Sequence, residues 1–212
     1  MRRAARSYNG CMNLQGAFGQ IDIYLFDQLL RGRIAPGMRV LDAGCGAGRN
    51  VVFLLQNGYD VSAVDADPDA VAQVRQLASR LAPALPEGQF RVEPVEALSF
   101  DAGSFDAVIS SAVLHFARDE RHFDAMLRSM WRVLRPGGLL FARLASTIGL
   151  EHAVAPLAGR RFRLPDGTER FLVDQPMLAR SLETLGGELL DPLKTTVVHD
   201  QRSMTTWVVR KA

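Results

Sequence analysis

A short apolar run at Met38–Leu41 leads directly into the glycine-rich stretch Asp42–Gly48, and a segment typical of a helix follows from about Arg49. This order of strand, loop and helix restricts the fold most, because it is the first half of a βαβ unit and so favours a parallel sheet. The glycines permit a tight turn and a close approach of the backbone to a ligand. Backbone N–H groups at the start of the helix would face that ligand.

The spacing of the glycines narrows the kind of ligand. Gly44, Gly46 and Gly48 follow a GxGxG pattern, whereas the dinucleotide fingerprint needs its third glycine where Arg49 stands. A second short strand, Tyr59–Asp65, ends in an acid. That acid follows the first glycine by roughly 20 residues, the separation expected for a ribose-binding carboxylate. The two features together predict an adenosine ligand that has no pyrophosphate.

Four segments carry a family resemblance, in this order: VLDAGCGAGRN (40–50), VSAVDADPDAV (61–71), EALSFDAGSFDAVISSAVLHF (96–116) and WRVLRPGGLLFARL (131–144). They resemble the successive motifs of class I S-adenosylmethionine (SAM)-dependent methyltransferases, closely over residues 35–145 and loosely elsewhere. The resemblance implies SAM as the cofactor and S-adenosylhomocysteine (SAH) as the product. The GRN after the glycine loop and the later LPDGTERF (164–171) are also similar to small bacterial methyltransferases of the tellurite-resistance and thiopurine type.

Strands alternate with helices as far as Leu144, which predicts a doubly wound α/β sheet of mostly parallel strands with helices on both faces. The resemblance implies that this Rossmann-like sheet has seven strands, the last two of which form an antiparallel C-terminal edge pair. We expect a single methyltransferase domain over 1–212, in four parts: an N-terminal cap and helix (1–34), a SAM-binding core (35–144), an inserted lid with a helix and a β-hairpin (145–173), and a C-terminal helix with the edge strands (174–212).

Turn and breaker residues set several boundaries. The helix after the glycine loop is expected over Arg49–Asn57, and the third strand over Gln89–Pro94. Arg135–Gly138 is predicted to be a turn before the fifth strand. Glu188–Val198 and Thr205–Arg210 are predicted to be the two final strands, and the resemblance implies that they pair.

The resemblance assigns cofactor contacts to the loops that follow the first four strands. Asp42, Gly44, Cys45 and Gly46 would lie against the methionine part of SAM, Asp65 would accept from the ribose hydroxyls, Ala66 would touch the adenine face, Val95 and Glu96 would hold adenine, and the carbonyl of Ser110 would face the SAM ammonium group. Relatives often carry, at the position of Pro94, an acid that accepts from the adenine amino group. Either Glu96 replaces that acid here or backbone contacts do.

The acceptor side is defined by fewer residues. His115 follows the fourth strand and is either a catalytic base or only a wall of the pocket. Methyl transfer depends mainly on holding the nucleophile in line with the methyl group, so a base is not obligatory. Two segments are candidate lids, Tyr8–Phe18 and Ala145–Phe171, and the side chains that could face the acceptor are Tyr8, Phe18, Arg143, Glu151, His152 and Arg163.

Composition favours a small-molecule acceptor over a nucleic acid. The 212-residue chain has a formal net charge of only +2, and SSAVLHF (110–116) stands where enzymes that methylate amino groups of DNA, RNA or protein glutamine carry an NPPY-type segment. Cys11 and Cys45 are expected to be reduced, and neither a signal peptide nor an apolar run of about 18 residues is visible. We therefore expect a cytoplasmic monomer or homodimer with no metal site.

Two other functions fit parts of this pattern. A nicotinamide- or flavin-dependent oxidoreductase also uses a Rossmann-like sheet, although Arg49 in place of the third glycine argues against it. A SAM-binding protein without transferase activity would carry the same core motifs. Binding of SAH rather than NADH would distinguish a methyltransferase from the oxidoreductase. Turnover would distinguish a methyltransferase from a SAM-binding protein without transferase activity.

Overall fold

The computed structural model describes residues 13–212, so Tyr8 and Cys11 lie outside the described residues. Its helices are α1 (Leu14–Phe18), α2 (Ile23–Leu30), α3 (Val51–Gln56), α4 (Pro68–Leu81), α5 (Glu120–Val133) and α6 (Gln175–Leu185). Its strands are β1 (Arg39–Ala43), β2 (Asp60–Asp65), β3 (Phe90–Val92), β4 (Phe105–Ser111), β5 (Leu134–Ala145), β6 (Ala155–Ala158), β7 (Arg161–Arg163), β8 (Glu169–Phe171), β9 (Gly187–Leu189), β10 (Lys194–Val198) and β11 (Arg202–Lys211). Short 3₁₀ turns occur at Glu87–Gln89, Val95–Ala97 and Leu114–Phe116. Within residues 13–212, no helix is both long enough and apolar enough to cross a membrane.

The main path of the sheet has the strand order β10-β11-β5-β4-β1-β2-β3. The strands from β3 to β5 along this path run parallel, and β11 runs antiparallel to both β5 and β10. The predicted doubly wound sheet with an antiparallel C-terminal edge is confirmed. Chain order reverses between β1 and β4, and ligands of such sheets bind outside the carboxyl ends of the strands at this reversal.

Helices cover both faces of the sheet because successive side chains of each strand point to opposite sides. Val40 and Ile109 belong to the core shared with α2, α3 and α4, whereas Leu41 and Val108 belong to the core shared with α5 and α6. The central strands are therefore apolar on both sides, and their side chains are almost fully buried. Because both faces of the central strands are covered, a ligand can reach these strands only at their ends.

Side-chain caps decide where the longer helices begin. The carboxylates of Asp67, Asp119 and Asp174 accept hydrogen bonds from backbone N–H groups in the first turns of α4, α5 and α6. α4 follows β2 and α5 follows β4, so both helices start beside the carboxyl edge of the sheet. This edge is where the candidate site lies.

Two predicted boundaries in the core are shifted by backbone chemistry. α3 begins at Val51 rather than at Arg49, because Gly48 has a positive φ of 82° and Arg49 stays in the loop. β3 is shorter than the predicted strand and ends at Val92, ahead of Pro94, which has no N–H to donate to a ladder.

Two predictions about strand bounds after α5 were wrong. Arg135–Gly138 is a bulged part of β5 rather than a turn before it, since β5 pairs with β4 on either side of this stretch. The single strand expected over Glu188–Val198 is broken at Pro192 into β9 and β10. Proline cannot donate to the ladder, and Asp191 is drawn aside to Arg33, 2.8 Å away. β9 pairs with the end of β11 and is the eighth strand of the sheet.

The inserted segment contains no helix within residues 145–173, contrary to prediction. Its first part forms turns around Gly149, whose φ of +77° interrupts helical backbone. The remainder forms a small antiparallel sheet in the order β6-β7-β8. The predicted hairpin is confirmed as the pair β7 and β8, which are joined through a turn at residues 165–167.

Candidate functional site

A cavity of about 960 Å³ opens at the carboxyl edge of the sheet, where chain order reverses. Its inner wall comprises the glycine loop, the end of β2 and the turns at Val95–Ala97 and Leu114–Phe116. The remaining side, here termed the outer wall, comprises Leu164, Asp166, Thr168, Arg170, Val198, Arg202 and Met204, from the β7–β8 and β10–β11 hairpins. Most residues assigned from the sequence line this cavity: Gly44, Cys45, Gly46, Asp65, Ala66, Val95, Glu96 and His115.

The three glycines of the loop have different surroundings. A Cβ atom on Gly44 would lie 2.4 Å from Val113 Cγ2, and one on Gly48 would lie 3.0 Å from Leu77 Cδ1, so these two glycines allow close packing. A Cβ atom on Gly46 would meet nothing within 4 Å in the described part of the chain. Because Gly46 lines the cavity, the space beside it is where a ligand would contact the backbone.

The carboxylate of Asp65 ties the end of β2 to the glycine loop. Oδ2 accepts from the backbone N–H of Gly46 at 2.8 Å, and Oδ1 accepts from that of Asp67 at 3.0 Å. Each carboxylate oxygen can accept a second hydrogen bond, so both remain able to bind a hydroxyl group. Asp67 serves as the helix N-cap, which leaves Asp65 directed at the cavity.

Asp42 lies just below the loop and is only 1% exposed. Neither of its carboxylate oxygens has a hydrogen-bond partner among residues 13–212, and the same holds for Oγ of the fully buried Ser110. Burial raises the pKa of Asp42 to about 7, with Arg49 opposing the rise and Asp65 adding to it. A buried acid without a partner is costly, and a cationic ligand group would satisfy it.

The thiol of Cys45 is not a nucleophile in this setting. The residue is buried, with 6% exposure, and lies in the glycine loop. Burial, with smaller contributions from Asp42 and Asp65, raises the pKa of Cys45 far above its usual range. A thiol in such surroundings is inert and acts as a small apolar side chain.

Glu96 lies beside His122 in the inner wall. Nε2 of His122 lies 3.0 Å from Oε1 of Glu96, and Nδ1 of His122 accepts from the backbone N–H of Arg118 at 3.1 Å. The contact between Nε2 of His122 and Glu96 is a close approach without the alignment of a hydrogen bond, and Nε2 has no hydrogen-bond partner among residues 13–212. The second oxygen of Glu96 remains available to the cavity, which both side chains line.

Sequence reasoning missed Asp22, which is 4% exposed and organises the arginines of the site. Its Oδ2 lies 3.0 Å from Nη1 of Arg143 and 3.4 Å from Nη2 of Arg49, and it accepts from Oγ of Ser111 at 3.3 Å. The only local signal for Asp22 is that of an N-cap before the apolar helix α2, where it accepts from the N–H of Tyr24. Its arginine partners come from distant parts of the chain.

His115 lines the cavity and is 8% exposed. Burial, followed by the positive charge of Arg170, lowers the pKa of His115 to about 4, so the ring is neutral near pH 7. Nδ1 accepts from the backbone N–H of Ala145 at 3.3 Å. The proton of the neutral ring therefore lies on Nε2, which makes His115 a hydrogen-bond donor in this arrangement.

Of the other described residues predicted to face the acceptor, one lines the cavity and four do not. Arg143 lines the cavity, whereas Phe18, Glu151, His152 and Arg163 do not. Arg163 is instead paired with Glu169 at 2.8 Å. Sequence reasoning gave no cavity role to the outer-wall residues Arg170 and Arg202, which become neighbours only when the two hairpins meet at the cavity. Within residues 13–212, no cluster of three or more histidine, cysteine or acidic side chains is placed to bind a metal ion.

Known proteins with similar sequences indicate the family of this chain. Residues 40–138 match the model of a methyltransferase domain. The chain is 34% identical over 181 residues to a ubiquinone biosynthesis O-methyltransferase from Methylocella silvestris, a match that covers 81% of this chain and 67% of that protein. Across three curated relatives, the chain spans between 46% and 67% of their lengths.

Solved structures share the fold. The [4+2]-cyclase SpnF superposes with a TM-score of 0.69 at 20% identity, covering 88% of this chain and 80% of that one. The 1,6-didemethyltoxoflavin-N1-methyltransferase of Burkholderia thailandensis superposes with a TM-score of 0.68 at 21% identity, covering 92% of this chain and 80% of that one. Sequence identity to the O-methyltransferase, the matching domain model and the strand order agree, and this chain belongs to the class I SAM-dependent methyltransferase family.

Proposed function

We propose that this protein transfers the methyl group of SAM to a small organic acceptor held in the cavity. The observation that carries the proposal is the series of matched groups across the ends of β1, β2 and β3: the unpartnered Asp42, the open side of Gly46, Asp65 and Glu96. SAM supplies an electrophilic methyl group on a sulfonium ion. The task left to the protein is to bind, orient and exclude water, and orientation alone contributes roughly 7 to 11 kcal/mol in well-aligned reactions.

Each part of the cofactor has a complementary group in this series. The ammonium group of SAM would satisfy Asp42, with the Ser110 carbonyl beside it and Gly44, Cys45 and Gly46 along the methionine chain. The ribose hydroxyls would donate to Asp65, which already holds the loop through the Gly46 N–H. Because Gly46 has no side chain, and no atom of residues 13–212 beyond Gly46 and its two chain neighbours lies within 4 Å of the place that a Cβ atom would take, this approach remains open.

Glu96 is proposed to replace the adenine-binding acid that Pro94 cannot supply. One of its oxygens lies 3.0 Å from Nε2 of His122, and the other would accept from the adenine amino group. Ala66 and Val95 both line the cavity and would contact adenine. Glu96→Gln should therefore weaken SAH binding but not binding of the inosine analogue of SAH, which lacks the amino group. Equal weakening of both ligands would return Glu96 to a structural role.

His115 is proposed to orient the acceptor by donating from Nε2, rather than to act as a base. The lone pair of its other nitrogen is already engaged by the Ala145 N–H. His115→Gln keeps an N–H donor and should retain most of the turnover, whereas His115→Phe should lose about tenfold or more. A base role predicts instead that both variants lose turnover equally, because glutamine cannot take up a proton. SAH affinity should be unchanged in both.

Calorimetric titration with SAH, using NADH as the control ligand, tests the cofactor. SAH binding without NADH binding supports the proposal, and NADH binding in place of SAH would favour an oxidoreductase instead. Release of SAH from SAM in the presence of phenol and amine acceptors then tests transfer. The names of the Methylocella relative and the Burkholderia neighbour point to oxygen and nitrogen acceptors respectively, so both kinds belong in the panel.

The alternative of a SAM-binding protein without transferase activity has a concrete basis, because SpnF, a cyclase by name, shares this fold. That alternative predicts SAH binding with no acceptor-dependent SAH release across the whole panel. The transferase proposal predicts acceptor-dependent release with at least one acceptor class, and abolition of that release by Gly46→Val.

A further inference from the structure

The outer wall of the cavity carries an excess of positive charge. Arg170 and Arg202 belong to it, against the single carboxylate of Asp166. Arg143, which also lines the cavity, is already paired with Asp22 at 3.0 Å. Neither Arg170 nor Arg202 has a carboxylate within 4 Å among residues 13–212.

Each of the other arginines of the same segment has a carboxylate partner, and none of them lines the cavity: Arg160 lies 2.9 Å from Asp174, and Arg161 and Arg163 share Glu169, at 3.0 Å and 2.8 Å. Arg170 comes from the same small sheet and remains without an acid. The arginine of this segment that has no carboxylate partner among residues 13–212 is thus the one that lines the cavity, and this location points to a ligand.

The guanidinium group of Arg170 is held in place by its neighbours. Nη1 donates to the carbonyl oxygen of Glu169 at 2.7 Å, and the group lies 4.9 Å from the centre of the Phe116 ring. Its other N–H groups have no partner in the described residues. A guanidinium fixed on one side presents a planar pair of donors on the other, which matches the two oxygens of a carboxylate.

Asp166 does not fill this position. Its Oδ1 accepts from the backbone N–H of Thr168 at 2.9 Å and from the Thr168 hydroxyl at 2.6 Å, so it closes its own turn. These hydrogen bonds, and then the charges of Arg170 and Arg202, hold the pKa of Asp166 below its usual range. Both guanidinium groups thus lie within electrostatic reach of one point on the outer wall, and two cations face one anion there.

We propose that the methyl acceptor carries a carboxylate group and that Arg170, with Arg202 beside it, binds this carboxylate. This inference rests on the proposed function, because it concerns the acceptor of the same reaction. The side chains of Leu164 and Met204 would contact the apolar body of such an acid, and the Nε2–H of His115 provides a further donor. The acceptor class is therefore a small organic acid, and its carboxylate binds away from the nucleophile.

The test uses 4-hydroxybenzoate and 4-hydroxybenzamide, which share ring, size and hydroxyl group and differ in charge. Calorimetry on the SAH-saturated wild-type protein should show the benzoate binding at least about tenfold more tightly than the amide. Arg170→Gln should remove this preference, and Arg170→Lys should keep part of it, because lysine retains the charge but not the planar fork. Arg163→Gln is the matched control: it lies on the same small sheet outside the cavity and should keep the full preference.

Two results would overturn the inference: equal binding of both compounds to the wild-type protein, or an undiminished preference in Arg170→Gln. SAH affinity is measured in every variant and should not change, since Arg170 belongs to the outer wall. If the wild-type protein did not bind SAH, the proposed function itself would be contradicted. Normal SAH binding without discrimination between the two compounds would contradict only the carboxylate assignment.

Discussion

The inner and outer walls of the cavity are built in opposite ways. The inner wall consists of loops fixed to the ends of parallel strands, and its functional groups are backbone N–H groups and acids such as Asp65. The outer wall consists of two hairpins, and its exposed chemistry is guanidinium. A ligand with one cationic end therefore suits the inner wall, and an anionic ligand suits the outer wall. The difference separates what binds the cofactor from what selects the acceptor.

The largest expected effect falls on the inner wall. Gly46→Val places a branched side chain in the open space beside the loop and should weaken SAH binding by about 100-fold or more. Gly58→Val is the matched control, because Gly58 also has a positive φ, of 74°, and no neighbour within 4 Å in the described residues, yet does not line the cavity. Calorimetry should show normal SAH affinity for this control. Similar losses in both variants would mean that backbone strain, not blockage, explains the effect.

Removal of the ribose-binding carboxylate should be the next largest change. Asp65→Ala should weaken SAH binding by about tenfold or more, since charged hydrogen bonds to the ligand and to the Gly46 N–H are lost together. Asp60→Ala, at the opposite end of β2, provides the comparison and should leave SAH affinity unchanged. Unchanged SAH affinity in Asp65→Ala would refute the ribose assignment.

A smaller effect, in pH dependence, should also arise from the inner wall. Because the pKa of Asp42 is raised to about 7, its carboxyl becomes charged between pH 6 and 8, and SAH affinity should rise over this interval by up to about tenfold. In the unliganded protein the sign is opposite: the folded state binds this proton more tightly, so this group's contribution to stability falls as pH rises from about 4 towards 7. Calorimetry of Asp42→Asn at pH 6 and pH 8 should show the same SAH affinity. If the variant kept the pH dependence of the wild-type protein, Asp42 would not be the group that binds the ammonium.

The smallest expected effect lies in the outer wall and concerns stability. His199 and Asp200 have positive φ values of 46° and 51°, and the Gln201 N–H donates to the Val198 carbonyl at 2.9 Å, which defines a type I′ turn. Asn-Gly is the preferred pair for this turn, so His199→Asn with Asp200→Gly should stabilise the fold by about 0.5–1 kcal/mol in chemical denaturation. SAH affinity should not change, and a shift in it would show that this turn contributes to cofactor binding.

The inner wall could be predicted from the sequence because its residues lie close together along the chain. Gly44, Gly46 and Gly48 lie within one loop, and Asp65 ends the next strand, so the order of strands alone brings them together. Asp42 could be placed near the ligand in the same way, but its lack of any partner in the described residues became visible only in the structure.

The outer wall could not be predicted in the same detail. A helix was expected within residues 145–171, but Gly149 and the β6-β7-β8 pairing produce turns and strands instead. Arg202 reaches the cavity only because the β10–β11 hairpin packs beside the β7–β8 hairpin, and nothing in either sequence segment encodes that neighbour. Side-chain contacts that depend on such long-range packing are not predicted by any periodicity or motif in the sequence.

The single oxygen shared by Arg49 and Arg143 has a consequence for the order of events. Arg49 follows the cofactor loop, Arg143 lies at the end of β5, and both bind Oδ2 of Asp22. A ligand that draws either guanidinium away changes the electrostatic field at the other, so a cofactor near Arg49 and an acceptor near Arg143 should each affect the binding of the other. Such coupling is reciprocal: the factor by which cofactor raises acceptor affinity must equal the factor by which acceptor raises cofactor affinity. Titrations of wild-type protein and Asp22→Asn in both orders would measure that factor, which should approach one in the variant.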